Sequence, residues 1–310
     1  MSVGGFGHIF YDVLSAYIIS KIFSLRFVYS PIQSLGEKHH LGEQFGYTED
    51  SINWDMFLQF DKDELRIKDI ENLNLNKVTI NLCEPFKSMD IKKIENLINS
   101  AEDNTLFILT NNNRVFLNEL YYFNNPIYQI VFQNLKTKLE HVKSPRNDTQ
   151  ITIAMHIRRG DWDWQPLKYN VEFIKLWQLI HKDQNYIINV YSLGTEKQLE
   201  EIKTELAHLD ENIIFHFNTD VFDTFRGIYN ADIVVGGHSN FAKIITMFSN
   251  NTFIYLPYKD GVIKALGVNN KFKLFHNGQY PELFDKDNRF ETDIHLIKNK
   301  QLIIDKLSSL

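Results

Sequence analysis

His156-Ile-Arg-Arg-Gly-Asp161 gathers an imidazole, two guanidiniums, a glycine and a carboxylate within six residues. Arginine suits an anionic partner because its planar fork donates paired hydrogen bonds to phosphate or carboxylate oxygens. The cluster follows directly on Ile151-Thr-Ile-Ala-Met155, an apolar and β-branched run of the kind that forms a buried strand in a parallel sheet. Open α/β sheets bind ligands just beyond the carboxyl ends of their strands, so Arg158 and Arg159 stand where a ligand would. Gly160 permits a sharp turn or a close approach. The plain alternative is a surface Arg–Asp ion pair on an ordinary strand–helix loop. Asp161 and Asp163 are candidate general bases by proximity, and His8 is a third candidate. Trp162 and Trp164 can stack on a sugar or base ring, or pack at a core rim.

Two glycine turns accompany this cluster. Gly4-Gly-Phe-Gly-His8 precedes apolar positions 10, 13, 14, 17, 18 and 22, which follow a helical period. Gly236-Gly-His-Ser-Asn240 leads from a strand into a second helix, with Ser239 or Asn240 as its N-cap. Free backbone N–H groups at a helix start favour an anion, and both turns also read as ordinary caps. Metal chemistry is not expected: the 11 histidines are scattered, and none has the i, i+4 spacing of a zinc helix. Neither a phosphate-binding Walker loop nor a Gly-x-Ser-x-Gly elbow occurs.

These groups need a frame, and the pattern supplies one. In the first half, strands are expected at 26–30, 78–82 and 105–110, with helices at about 53–60, 89–98, 114–123 and 128–142. The rest of 36–75 reads as loop. In the second half, strands at 151–157, 186–191, 212–217, 232–236 and 252–257 alternate with helices at about 170–182, 195–208, 220–230 and 240–248. Thr195 and Gln198 form a capping box. Five strands with four intervening helices predict a doubly wound parallel sheet, and the alternating first half predicts a smaller α/β domain. The polar stretch Lys143–Gln150 is the expected linker, dividing the chain into 1–145 and 146–310. A charged tail is expected to end in a helix at about 293–308.

Composition bounds the rest. The 310 residues are 44% hydrophobic and 14% aromatic, enough for buried cores. With 33 basic and 39 acidic residues the net charge is −6, which argues against general nucleic-acid binding. The single cysteine, Cys83, excludes an intrachain disulfide. No secretory leader or membrane span is expected, which points to the cytoplasm. Asn147-Asp-Thr149 and Asn250-Asn-Thr252 match the glycosylation pattern by coincidence in an Asn-rich chain.

Taken together, His156-Ile-Arg-Arg-Gly-Asp161, Gly4-Gly-Phe-Gly-His8 and Gly237-His-Ser-Asn240 resemble the motifs of the inverting, GDP-fucose-dependent fucosyltransferases (the α1,2-, α1,6- and protein O-fucosyltransferases). The three motifs lie in the right order across about residues 1–250. The resemblance implies two facing Rossmann-like domains of the GT-B type, with the acceptor on the first and the nucleotide-sugar held mainly by the second. It implies Arg158 on the β-phosphate, stabilising charge on the leaving diphosphate without a metal or other cofactor. Arg159 would support that contact or the loop. His156 and Asp223 would lie near the guanine, and Ser239 and Asn240, in the turn with His238, would hold phosphate oxygens. Gly5 and Gly7 would admit the diphosphate-sugar closely. His8 stands where several relatives carry Asn or Gln. The aromatic run of the α1,2 group is replaced by His238-Ser-Asn-Phe-Ala-Lys-Ile244, so no linkage is inherited. The expected activity is fucosyl transfer to a hydroxyl of a glycan or glycoconjugate. Another GDP-hexose donor, or a catalytically inactive nucleotide- or glycan-binding module, remain open alternatives. The general base, acceptor and oligomeric state are not fixed by these residues.

Overall fold

The computed structural model describes residues 6–30, 54–59, 62, 64–81, 91–110, 133–134, 136–145, 149–160, 166–237, 239–249, 251–256 and 273–276. It divides into two compact units, Met1–His141 and Val142–Leu310. Among the described residues, no helix is long and apolar enough to cross a membrane.

The first unit opens with helix α1, Phe6–Ile22, which starts four residues before the first position of the apolar period, Phe10. Its period buries Phe10, Val13, Leu14, Tyr17 and Ile18 along one face. Strand β1, Val28–Tyr29, lies beyond it. Helix α2, Trp54–Leu58, fills the place expected for a short helix. The stretch expected to be loop also contains structure: strand β2, Leu65–Arg66, and helix α3, Ile67–Ile70. β2 pairs in parallel with β1, a long-range partner that supplies what a two-residue strand lacks in local signal. Strand β3, Asn76–Asn81, helix α4, Ile91–Asn99, and strand β4, Thr105–Thr110, make a βαβ unit with β3 and β4 parallel. The helix expected at 128–142 ends in a 3-10 turn, Glu140–Val142. There the His141 ring nitrogens face the carbonyl oxygens of Lys138 (2.9 Å) and Phe57 (2.7 Å). The helix expected at 114–123 and the C-terminal helix lie outside the described residues.

The second unit is built on strands β5 (Ile151–His156), β6 (Tyr186–Ser192), β7 (Ile213–Phe217), β8 (Ile233–Gly236) and β9 (Thr252–Tyr255), all parallel to their neighbours. Helices α5 (Lys168–His181), α6 (Glu196–Leu206), α7 (Val221–Asn230) and α8 (Asn240–Phe248) follow β5 to β8 in turn. The α/β class and all five expected strands are therefore observed. One strand was not foreseen: β10, Lys273–His276, adds antiparallel to the edge at β9.

Strand order is β10-β9-β8-β5-β6-β7. From β5 the chain builds outward through β6 to β7, then returns to place β8 on the other side of β5. The reversal therefore falls between β5 and β8.

Period two divides the strand residues between the faces. Ile153, Met155, Ile188, Val190, Ile233, Val235 and Ile254 point to one face and join Phe173, Ile174 and Trp177 of α5 and Leu199, Ile202 and Leu206 of α6 in a single core cluster. Each such fully buried side chain contributes about 1.5–3 kcal/mol. The opposite face, against α7 and α8, carries Ala154, His156, Asn189, Tyr191, Gly236 and His216 in register. One face is oily; the other ends in polar and small residues.

Candidate functional site

The carboxyl edge of that second face is a single row. His216 of β7 is level with Tyr191 of β6, Tyr191 with His156 of β5, and His156 with Gly236 of β8. Tyr191 and His216 stack at 4.7 Å and 15°, and the His216 Nε2 lies 2.8 Å from the Asn189 Oδ1. Gly236 and Gly237 continue the row into the turn before α8. Ser239 caps that helix, accepting from the Ala242 N–H at 3.4 Å, as its residue type predicts. Phe241, in the first turn of α8, sits 5.9 Å from the His156 ring, with Phe225 of α7 edge-on behind it at 6.3 Å and 78°.

His156 is the unusual member. It is half-buried as a residue, yet its Nδ1 is fully covered and makes no hydrogen bond. Burial first, and then the Arg158 charge, push its pKa down from 6.5 to about 4; a backbone hydrogen bond opposes this. The ring is neutral at pH 7, so one nitrogen donates and the other accepts. Burial also lowers His216. Burial, and then the Asp223 charge, raise Tyr191.

The two arginines part company. Ile157 N still donates to the Tyr191 carbonyl at 3.0 Å, so the strand's alternation outlasts its formal end. His156 and Arg158 therefore fall on the α7/α8 side, and Arg159 on the other, where its side chain is only 2% exposed. The Arg159 Nη1 donates to the Arg158 carbonyl at 3.2 Å, and its Nη2 is 3.9 Å from Glu201 of α6. Gly160, at φ 77°, takes the left-handed conformation that glycine adopts most readily.

Asp223 lies in the first turn of α7, where Asp220 caps the helix by accepting from Phe222 N and Asp223 N at 2.8 and 3.2 Å. Its carboxylate is exposed and paired with Arg226 at 2.8 Å, on the helix surface. Gly7 and His8 lie in the first turn of α1, within the other unit. Asn240 is the first residue of α8. Gly5, Asp161, Asp163, Trp162, Trp164 and His238 lie outside the described residues. The reading from sequence missed Tyr191, His216 and Phe241. The signal for the first two was their place at the ends of neighbouring strands, which becomes informative once the register is known.

Among the described residues no cluster of three His, Cys, Asp or Glu side chains forms a metal site. Chemically, the edge offers a cation, a neutral imidazole, a serine-capped helix start and two buried glycines with no side chain to crowd the turn.

No family profile and no curated protein sequence matches the chain. Among solved structures it is similar to the fucosyltransferase NodZ from Bradyrhizobium, at 9% identity and TM-score 0.39, over 89% of this chain and 97% of that one. A NodZ α-1,6-fucosyltransferase structure soaked with GDP-fucose gives 10% identity and TM-score 0.37 over the same shares. The C-terminal domain of a glycosyl transferase group 1 family protein (LpcC) from Francisella tularensis gives 22% and 0.28, over 51% of this chain and 78% of that one. At these TM-scores the overlaps are loose, and the chemistry has to be read from the residues themselves.

Proposed function

We propose that the chain is a glycosyltransferase that transfers a sugar from a GDP-sugar, GDP-fucose foremost, to a hydroxyl of a glycan or glycoconjugate with inversion. The observation that carries the reading is the strand reversal between β5 and β8. It brings the His156–Gly160 motif and the Gly236–Ser239 turn side by side at the carboxyl edge, where doubly wound sheets take their ligands. In this reading Arg158 meets the diphosphate and offsets the charge that grows on it as the bond to the sugar breaks. Ser239 and the start of α8 hold phosphate oxygens, and neutral His156 faces the base. The acceptor oxygen bonds to the anomeric carbon as the bond from that carbon to the phosphate oxygen breaks. GDP departs, and the acceptor's proton passes to a base, for which Asp161 and Asp163 are the candidates. The first unit would serve the acceptor.

The test is calorimetric titration with GDP, UDP and ADP on the wild type and Arg158→Ala, followed by turnover of GDP-fucose and other GDP-hexoses with and without chelator. Selective GDP binding is expected, weakened about tenfold to a hundredfold in the variant by loss of a charge-assisted contact. Turnover is expected to survive chelation. No nucleotide binding by folded wild-type protein would overturn the proposal, and GDP binding without any turnover would leave a binding module in its place.

A further inference from the structure

We propose that Arg159 is a positioning residue that acts on the bound anion only through Arg158, as a buried strut between the motif and α6. The inference rests on the reading of Arg158 as the anion's partner, and of the two roles the resemblance leaves open for Arg159, the contact or the loop, it takes the loop and names the contacts that give it that role.

The geometry is specific. Beyond β5 the chain has left regular pairing, yet two successive carbonyls are each held by a side chain. Ser192, buried at the end of β6, donates its hydroxyl to the Ile157 carbonyl at 2.7 Å. Arg159 donates Nη1 to the Arg158 carbonyl at 3.2 Å. The Arg159 stem is seated on Gly194, where an added Cβ would stand 3.0 Å from the Arg159 Cβ. Gly194 is itself clamped: its N–H donates to the Asn218 Oδ1 at 3.0 Å, and its carbonyl accepts from the Asn218 Nδ2 at 3.2 Å. Asn218 adopts φ 50°, a left-handed conformation that asparagine tolerates better than most residues. Glu201, 61% exposed at its side chain, faces the far end of the guanidinium.

The backbone from which Arg158 extends is therefore held from beneath by Ser192 at the end of β6 and by Arg159, itself seated on Gly194, on the side opposite His156. A guanidinium only 2% exposed on that side has no surface to offer a ligand on the other. What it does is hold the origin of Arg158 still, so that little ordering remains to be done when an anion arrives. The Arg159–Glu201 pair is the tether of that strut to α6.

The experiment is GDP titration of the full chain as wild type, Arg158→Ala, Arg159→Met, Glu201→Gln, and the last two each combined with Arg158→Ala, with thermal midpoints measured alongside. Arg159→Met is expected to weaken GDP binding about fivefold to tenfold, and this loss should vanish in the Arg158→Ala background. Glu201→Gln, a surface change that spares the fold, should weaken binding about twofold, again only when Arg158 is present. Losses that add in the Arg158→Ala, Arg159→Met double variant would mean that Arg159 touches the ligand, and unchanged affinity with a lowered midpoint would mean packing alone. Either overturns the proposal. Should Arg159→Met fail to fold, the Glu201→Gln coupling decides by itself. A wild type that binds no GDP removes the anion reading, whereas a wild type that binds GDP with Arg159 indifferent removes only the strut.

Discussion

At the amino end of the six-stranded sheet, Asp210 accepts from the Tyr186 hydroxyl, from the Gln178 Nε2 at 3.1 Å and from Asn212 N at 2.9 Å. Beside it, Asp232 accepts from Thr152 N at 2.9 Å, and the Gln150 Nε2 donates to the Asn185 Oδ1 at 3.1 Å. At the carboxyl end of the same strands, the His156 Nδ1 is buried with no partner, next to two glycines and a serine-started helix. The same sheet thus gathers a network of paired polar groups at one end and sets an unpartnered imidazole nitrogen at the other, while the Asn251 Oδ1, just before β9, is also buried without a partner. An unpartnered buried polar atom costs about 1–3 kcal/mol, so the His156 Nδ1 is one place where the molecule gives up stability. The contrast separates polar residues that hold the fold from those that await something else.

The contrast can be broken or sharpened by substitution. The largest effect is expected from Asp210→Ala, which leaves the Tyr186 hydroxyl and Asn212 N without this acceptor and the Gln178 Nε2 with only the Leu209 carbonyl. It should cost about 3–4 kcal/mol in denaturant unfolding while GDP affinity stays unchanged. A loss of affinity there would blur the distinction between the two ends. Next comes His156. Its folded pKa lies below its unfolded value, so the unfolded chain binds the extra proton first. The stability contributed by the neutral ring is fully present above about 6.5 and lost as pH falls toward 4. The difference in unfolding free energy between wild type and His156→Gln should therefore shift by about 3 kcal/mol across that window, and a flat difference would reject it. The smallest effect is expected from Ser239→Ala. Loss of the cap should lower stability by about 1 kcal/mol, and GDP affinity should fall with it if this helix start also holds phosphate. A fall in stability alone would assign Ser239 to the fold.

Much of this frame was legible beforehand because the signals were local. Apolar runs marked β5 to β9, and Thr195 with Gln198 announced the start of α6, where both halves of the capping box are present. What was not legible depends on pairing. Leu65–Arg66 becomes a strand because Val28–Tyr29 lies beside it, and Lys273–His276 because β9 offers an open edge. The row from His216 to Gly236 exists only once the register of four strands is set. The parting of Arg158 and Arg159 followed from alternation, but only if the strand geometry runs on through Ile157, which the Tyr191 carbonyl ensures. Asp223 illustrates the opposite case. The resemblance implies a place near the guanine, and in the structure its carboxylate pairs with Arg226 three residues on, a local partner that helix spacing brings to it.

The seat of α7 on the sheet has a consequence for how related chains can differ. The Tyr191 hydroxyl rests against Gly227, where a Cβ would lie 2.1 Å from the oxygen and 2.5 Å from the ring carbon that bears it. Removing the oxygen alone does not make room, since the ring carbon is still too close. Position 227 can therefore accept a side chain only in a lineage that has also given up the aromatic ring at 191. The two sites should change together or not at all, a paired signature that would date any divergence in the spacing of α7 from the strand ends.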